Sequence, residues 1–235
     1  MDYFDARGIS RLTYENYKLP SYMANIIHKN LNARILDFGC GFGQNLLAIS
    51  QILKTAKKKG GGQVKGIDIN LQAIESCKNQ GLDAEVVEDI FTYQPIEKFD
   101  IIFITHVLEH FPKDQIIPLL KYLKSHLLKD KGMLLIAVPN AQSHTGAYWA
   151  YEDFTHNVLF TSGSLIYVLK MAGFENVEFL DKDCLDDLKG IKKLMRQFFL
   201  KLYKINNKFW NKITCSAFHA ASPEIFSYEL KIKAS

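Results

Sequence analysis

Ile35-Leu36-Asp37-Phe38-Gly39-Cys40-Gly41-Phe42-Gly43 is a short apolar run, a carboxylate and three glycines at alternate positions. It leads at once into a stretch where Leu46, Leu47, Ile49, Ile52 and Leu53 keep helical spacing. A buried strand that turns on glycines into a helix makes a nucleotide-type binding corner, because glycine lets the backbone approach a ligand and the helix N-terminus offers free N–H groups. A dinucleotide fingerprint would read G-x-G-x-x-G; here Gly43 comes one residue early and Gln44 holds the expected place. Asp37, two residues ahead of Gly39, indicates the charge of the ligand, since a carboxylate there repels a pyrophosphate and attracts a cation.

S-adenosylmethionine (SAM) carries an ammonium and a sulfonium but no phosphate, so Asp37, Gly39, Gly41 and Gly43 are expected to hold it. Working outward, Asp68 ends the second apolar run in Gly66-Ile67-Asp68-Ile69 and is placed to accept hydrogen bonds from both ribose hydroxyls. Asp89-Ile90, after the third run, would meet the adenine amino group and ring. Ile69 and Thr105 complete the expected cofactor set.

The remaining periodicity alternates short apolar runs with amphipathic stretches, which predicts an α/β fold with a parallel sheet and helices on both faces. Strands are expected at 34–38, 64–69, 84–87, 100–104, 133–138, 177–180 and 224–233. Gly60–Gly62 is read as ending the first helix, Gly132 as the left-handed cap of the helix marked by Ile116 to Leu127, and Thr161 as the N-cap of a helix ending at Gly173. At 235 residues with 48% apolar and 23% charged content, the chain has ample core for one main domain and is neither disordered nor fibrous. No apolar run approaches the roughly 18 residues of a membrane span, and the N-terminus lacks a basic-then-apolar signal, so a cytoplasmic location is expected. Cys40, Cys77, Cys184 and Cys215 lack C-x-x-C spacing and read as reduced thiols.

Asp37-x-Gly39-x-Gly41-x-Gly43, Gly66-Ile67-Asp68, Glu88-Asp89-Ile90, Phe99-Asp100-Ile101-Ile102, Val107-Leu108-Glu109-His110, Gly132-Met133-Leu134-Leu135 and Val138-Pro139-Asn140 together resemble the ordered motifs of class I SAM-dependent methyltransferases. The resemblance runs from about Ala33 to Leu180. It implies a doubly wound, Rossmann-like, seven-stranded and mostly parallel sheet, an N-terminal helical cover at 1–31, a methyltransferase domain at 32–235, and S-adenosylhomocysteine as product. Asp153-Phe154-Thr155-His156, Phe160-Thr161 and Ala172-Gly173-Phe174 resemble members acting in bacterial surface-polysaccharide and ubiquinone-type O-methylation. Asp130-Lys131-Gly132 departs from the Pro-Gly-Gly common there.

A hydroxyl acceptor must lose its proton, which favours a histidine or carboxylate beside the methyl group. His106, Glu109 and His110 follow the fourth strand; His144, Asp153 and His156 lie in a long loop after the fifth, with no strong helical pattern, beside Tyr148, Trp149 and Tyr151. His106, His110, His144 and His156 are the catalytic candidates, and His106 is the favoured general base. A metal-free base is preferred to a divalent-metal site of His106, Glu109, His110 and His156. That set is similar to the E-x-x-E-H plus distant His pattern of small-RNA 2′-O-methyltransferases and some quinone O-methyltransferases, with His106 in place of the first Glu.

The net charge of +4 is unevenly spread: eight Lys and Arg and no acidic residue lie between Lys189 and Lys212, leaving the rest of the chain at −4. That distribution argues against a nucleic-acid-binding body. Within an insertion at 183–222, Ile191, Leu194, Phe198, Leu202, Ile205 and Phe209 mark an amphipathic helix with a cationic polar side, read as a docking element for an anionic membrane, an oligomer partner or the chain's own body, and apart from the chemistry. The expected function is O-methylation of a sugar or sugar-like small molecule in capsule or lipopolysaccharide synthesis, the acceptor being a small molecule or glycan. The alternatives are a phenol or quinone precursor, a phosphate-type glycan substituent, or a non-catalytic SAM-binding scaffold.

Overall fold

Residues of the central strands are apolar on both faces because both faces are covered by helices. In the computed structural model, which describes residues 3–56, 61–219 and 222–235, the strands are β1 (Arg34–Phe38), β2 (Gln63–Asp68), β3 (Ala84–Val86), β4 (Phe99–Thr105), β5 (Leu128–Pro139), β6 (Val177–Phe179) and β7 (Glu229–Ala234). They form one seven-stranded sheet in the order β3-β2-β1-β4-β5-β7-β6, parallel from β3 to β5, with β7 antiparallel to both β5 and β6. The helices are α1 (Tyr3–Ala6), α2 (Ser21–Lys29), α3 (Gln44–Thr55), α4 (Leu71–Asn79), α5 (Ile116–Tyr122), α6 (Gly146–Glu152), α7 (Ser162–Met171) and α8 (Gly190–Ile213). Period-two alternation divides the core: Leu36, Ile102 and Leu134 pack with Leu119 of α5 and Leu165 of α7, whereas Ile35, Ile101 and Leu135 pack with Met23 of α2 and Ile49 of α3. Among the described residues no helix is long and apolar enough to cross a membrane.

Thr161 caps α7 as expected, its hydroxyl accepting from Ser164 N at 3.2 Å, and Gly173 ends that helix at φ +94°. Four expectations need correction. Gly132 caps no helix: α5 passes through a π-turn at Leu123–Leu127 straight into β5, so Gly132 lies in extended backbone. There it provides clearance, since a Cβ would come within 2.7 Å of Leu128 Cγ and 3.0 Å of the Asp100 carbonyl oxygen. The last strand begins at Glu229 instead of Glu224, because the buried Asn140 amide donates to the carbonyls of Ile225 (2.7 Å) and Ser227 (2.8 Å) and holds that stretch off the ladder. The first helix stops at Thr55, ahead of the glycine triplet; Gly60 lies outside the described residues, and Gly62 instead leads into β2 by donating to the Leu31 carbonyl at 3.0 Å. The loop after β5 is not irregular throughout, for Tyr148, Trp149 and Tyr151 ride on α6.

Candidate active site

The chain leaves β1 outward to β2 and β3 and then returns to β4 on the other side of β1, so a crevice opens at the carboxyl ends of β1 and β4. On its first wall, Gly39, Gly41 and Gly43 all take positive φ, at +75°, +51° and +83°. Gly39 has a second reason to be glycine: a Cβ there would sit 2.1 Å from Val107 Cγ2. Asp68 fixes the turn, its Oδ2 accepting from Gly41 N at 2.8 Å and its Oδ1 from Asn70 N at 2.9 Å. Each oxygen keeps a further lone pair for a ribose hydroxyl.

Asp37 is 1% exposed, and its Oδ2 has no hydrogen-bond partner. Burial pushes its pKa up to about 7; a hydrogen bond from Asn45 opposes the rise and the Asp68 charge adds to it. An orphaned, desolvated carboxylate beside three left-handed glycines fits the ammonium end of SAM. Ile69 is 73% exposed at the end of β2, Ile90 is buried, and Thr105 ends β4. Asp89 caps the short 3-10 turn Ile90–Thr92, accepting from Phe91 N at 2.9 Å.

The N-terminal segment roofs this wall. Phe4 of α1 packs on Phe42 with centroids 4.8 Å apart, and Tyr17 donates its hydroxyl to Asn45 Oδ1. Tyr3 donates to Asp153 Oδ2 at 2.5 Å, and an Arg7 nitrogen stands 3.4 Å from the same oxygen. α1 therefore bridges the glycine turn and the loop that follows β5.

Opposite lies the acceptor side, where the four candidate histidines occupy three places. His106 adopts φ +54°, a strained conformation for a non-glycine residue, and its N–H donates to the Ala137 carbonyl at 2.9 Å. Its Nε2 is 2.7 Å from Glu229 Oε1 and its Nδ1 is 3.3 Å from Glu109 Oε1. Desolvation would lower its pKa, but the nearby carboxylates of Glu109 and Glu229, the latter hydrogen-bonded to the ring, outweigh that and push it up to about 10. His106 is thus held between two carboxylates, with its side chain 44% exposed on the acceptor side.

His110 and His156 form the second place, with rings 4.8 Å apart. His156 Nδ1–H donates to the Trp149 carbonyl at 2.7 Å, leaving Nε2 to accept; His110 Nδ1 meets Thr155 Oγ1 at 2.8 Å, and burial lowers the His110 pKa. Glu109, fully buried with neither carboxylate oxygen in a well-formed hydrogen bond, brings one oxygen within 4.8 Å of a nitrogen from each. These three residues could hold a divalent ion, while His106, expected as a fourth ligand, turns its Nε2 to Glu229. His144 stands apart, its ring 4.8 Å from that of Tyr203 in α8. This contact ties the basic helix α8 to the loop that follows β5.

Glu229, Asn45, Tyr17, Tyr3 and Arg7 were not singled out in the sequence, whereas Asp153 was. Of these, Asn45, the second residue of α3 just after the glycines, carries a local signal.

Comparison with known proteins agrees with this geometry. A family described as methyltransferase domain matches residues 11–179, and the chain belongs to it. Several solved structures align with 99% of the chain. A SAM-dependent methyltransferase from Archaeoglobus fulgidus is 21% identical at TM-score 0.60, covering 99% of both chains. Magnesium protoporphyrin IX methyltransferase from Synechocystis PCC 6803 with bound S-adenosylhomocysteine is 14% identical at TM-score 0.55, covering 99% of this chain and 95% of that one. A ribosomal protein L11 methyltransferase of Shewanella frigidimarina is 41% identical over 64 residues, 27% of this chain and about a fifth (20%) of that protein's length. The fold is that of the Rossmann-like class I methyltransferases.

Proposed function

We propose that the chain methylates an oxygen of a sugar or sugar-like small molecule in cell-surface glycan synthesis, on the cytoplasmic side. The observation that carries this reading is the His106–Glu229 couple at the ends of β4 and β7, facing the wall that holds Asp37 and the glycines. When bound, SAM supplies a methyl carbon activated by its sulfonium charge. An acceptor hydroxyl attacking that carbon becomes strongly acidic as the C–O bond forms, so a carboxylate is base enough to take its proton. In this reading Glu229 takes the hydroxyl proton, and His106, with Nε2 2.7 Å from Glu229 Oε1, orients it. Tyr148 and Tyr151 of α6, 53% and 82% exposed, offer ring faces on which a sugar can stack. Conversion of SAM to S-adenosylhomocysteine against a panel of nucleotide sugars, glycans, phenols and amines tests the reading. Turnover confined to amines or proteins would sink it, and Glu229→Gln should lower kcat on the preferred acceptor by roughly 10²–10⁴-fold.

The buried Glu109 beside His110 and His156 favours a second reading, in which these three hold a divalent ion that polarises the acceptor oxygen of a phenol or phosphate-type group. Activity abolished by a chelator and restored by one divalent ion would select it.

A further inference from the structure

The helix α8 packs with its apolar face turned outward. The residues it half-buries against the body are Lys193, Leu200, Tyr203, Lys204, Asn207 and Asn211, a mostly polar stripe at heptad-like spacing. Lys204 Nζ pairs with Asp183 Oδ1 at 2.8 Å, Arg196 Nε donates to the Asp183 carbonyl at 3.1 Å, and Tyr203 meets the Phe226 ring at 5.4 Å. Ile191, Leu194, Phe198, Leu202, Ile205 and Phe209, spaced by three and four, lie on the other side and are 47–73% exposed. Four more large apolar side chains stand beside them, and no residue of the 24 in this helix is buried. An ordinary surface helix does the reverse, burying its apolar stripe in the body. At 100° per residue, Lys192, Lys201, Lys208 and Lys212 fall along the two margins of the outward ridge.

We propose that α8 docks the protein on an anionic lipid surface, lying in the interface with its apolar ridge among the acyl chains and its marginal lysines at the headgroups. Charge decides among occupants. A second copy of the same face would bring two rows of lysines together with no acidic residue between Lys189 and Lys212 to offset them. A nucleic acid would engage the lysines and leave the ridge in water. An anionic bilayer satisfies both, and α8 lies on it, since no described helix has the apolar length to span it. Through Tyr203 against His144, the docked helix is tied to the loop that follows β5.

The test is sedimentation of the full chain with vesicles of phosphatidylglycerol and phosphatidylcholine, and with phosphatidylcholine alone. Binding is expected only to the anionic vesicles, weakening steeply as salt rises. Each lysine near such a surface is worth about 1 kcal/mol, roughly fivefold, so Lys192→Glu with Lys201→Glu, Lys208→Glu and Lys212→Glu should weaken vesicle binding at least a hundredfold. Phe198→Ser with Phe209→Ser should also release the protein, and calorimetric SAM affinity should be unchanged in both variants, which shows them folded. The salt titration of the unaltered chain stands whether or not the variants fold. Equal binding to both vesicle types, or none to either, overturns the proposal. So does a dimer in light scattering that the phenylalanine variant dissolves while vesicles stay unbound, which would make the ridge a contact between copies.

Discussion

Asp37 shows how a single buried carboxylate can serve binding at the expense of stability. Its pKa is raised to about 7 in the fold, so between the usual carboxylate range and pH 7 the native state holds a proton that the unfolded chain has lost. Stability from this group therefore declines as pH rises toward 7, and Asp37→Asn should raise Tm above pH 7 while weakening SAM binding tenfold or more. SAM affinity of the native protein should fall as pH drops below about 7, with proton release measurable by calorimetry in buffers of different ionisation enthalpy. His106 gives a slope of the same sign in a higher window. With its pKa raised to about 10, its stabilising contribution is complete below the ordinary histidine value and is lost as pH climbs through 10, so His106→Gln should lower Tm at neutral pH and flatten the alkaline decline of the Tm–pH curve. The pH–rate profile should correspondingly lack the limb near 6.5 that a free histidine base would give. Asp37 stood out in the sequence because it lies two residues ahead of the first glycine, and Asp68 because it closes the next apolar run, although its contact to Gly41 spans 27 residues. The clamp on His106 did not, because Glu229 arrives from 123 residues further along the chain and only strand pairing makes them adjacent.

Turns and caps set the wall positions at the scale of single elements. Gly39→Ala combines a left-handed backbone with a 2.1 Å collision against the stiff, β-branched Val107, so it should destabilise the fold by about 2–4 kcal/mol and abolish SAM binding. Pairing it with Val107→Ala should recover part of the stability, with the remaining loss reporting the φ strain alone. Thr161→Ala should cost about 1 kcal/mol in denaturant unfolding, because the α7 N-terminus loses the acceptor for Ser164 N. Strands β1 to β6 lie within a residue or two of their expected places, except that β5 starts five residues early. In β1, β4 and β5 the apolar runs are buried on both faces, a pattern that survives tertiary context. Gly132 and Glu224 misled for one reason. The residues that decide them, Leu128 and Asp100 for the first and Asn140 for the second, act through space and leave no mark on local composition.

Across the whole molecule, the two ends of the crevice are joined by the N-terminal segment. Replacing Tyr3 by Phe together with Arg7 by Ala removes both contacts to Asp153 Oδ2 and should speed release of S-adenosylhomocysteine by roughly tenfold, read by stopped-flow displacement. Asp153 is also the residue whose Oδ1 accepts from the Thr155 backbone and hydroxyl at 3.0 and 2.7 Å, and Thr155 in turn holds His110. A nucleoside seated under Phe4 would therefore be coupled through Asp153 and Thr155 to His110 on the acceptor side. The kinetic signature of such a shared hinge post is a compulsory sequence: the methyl donor is first on, its demethylated remnant is last off, and inhibition by that remnant competes with the donor but not with the acceptor.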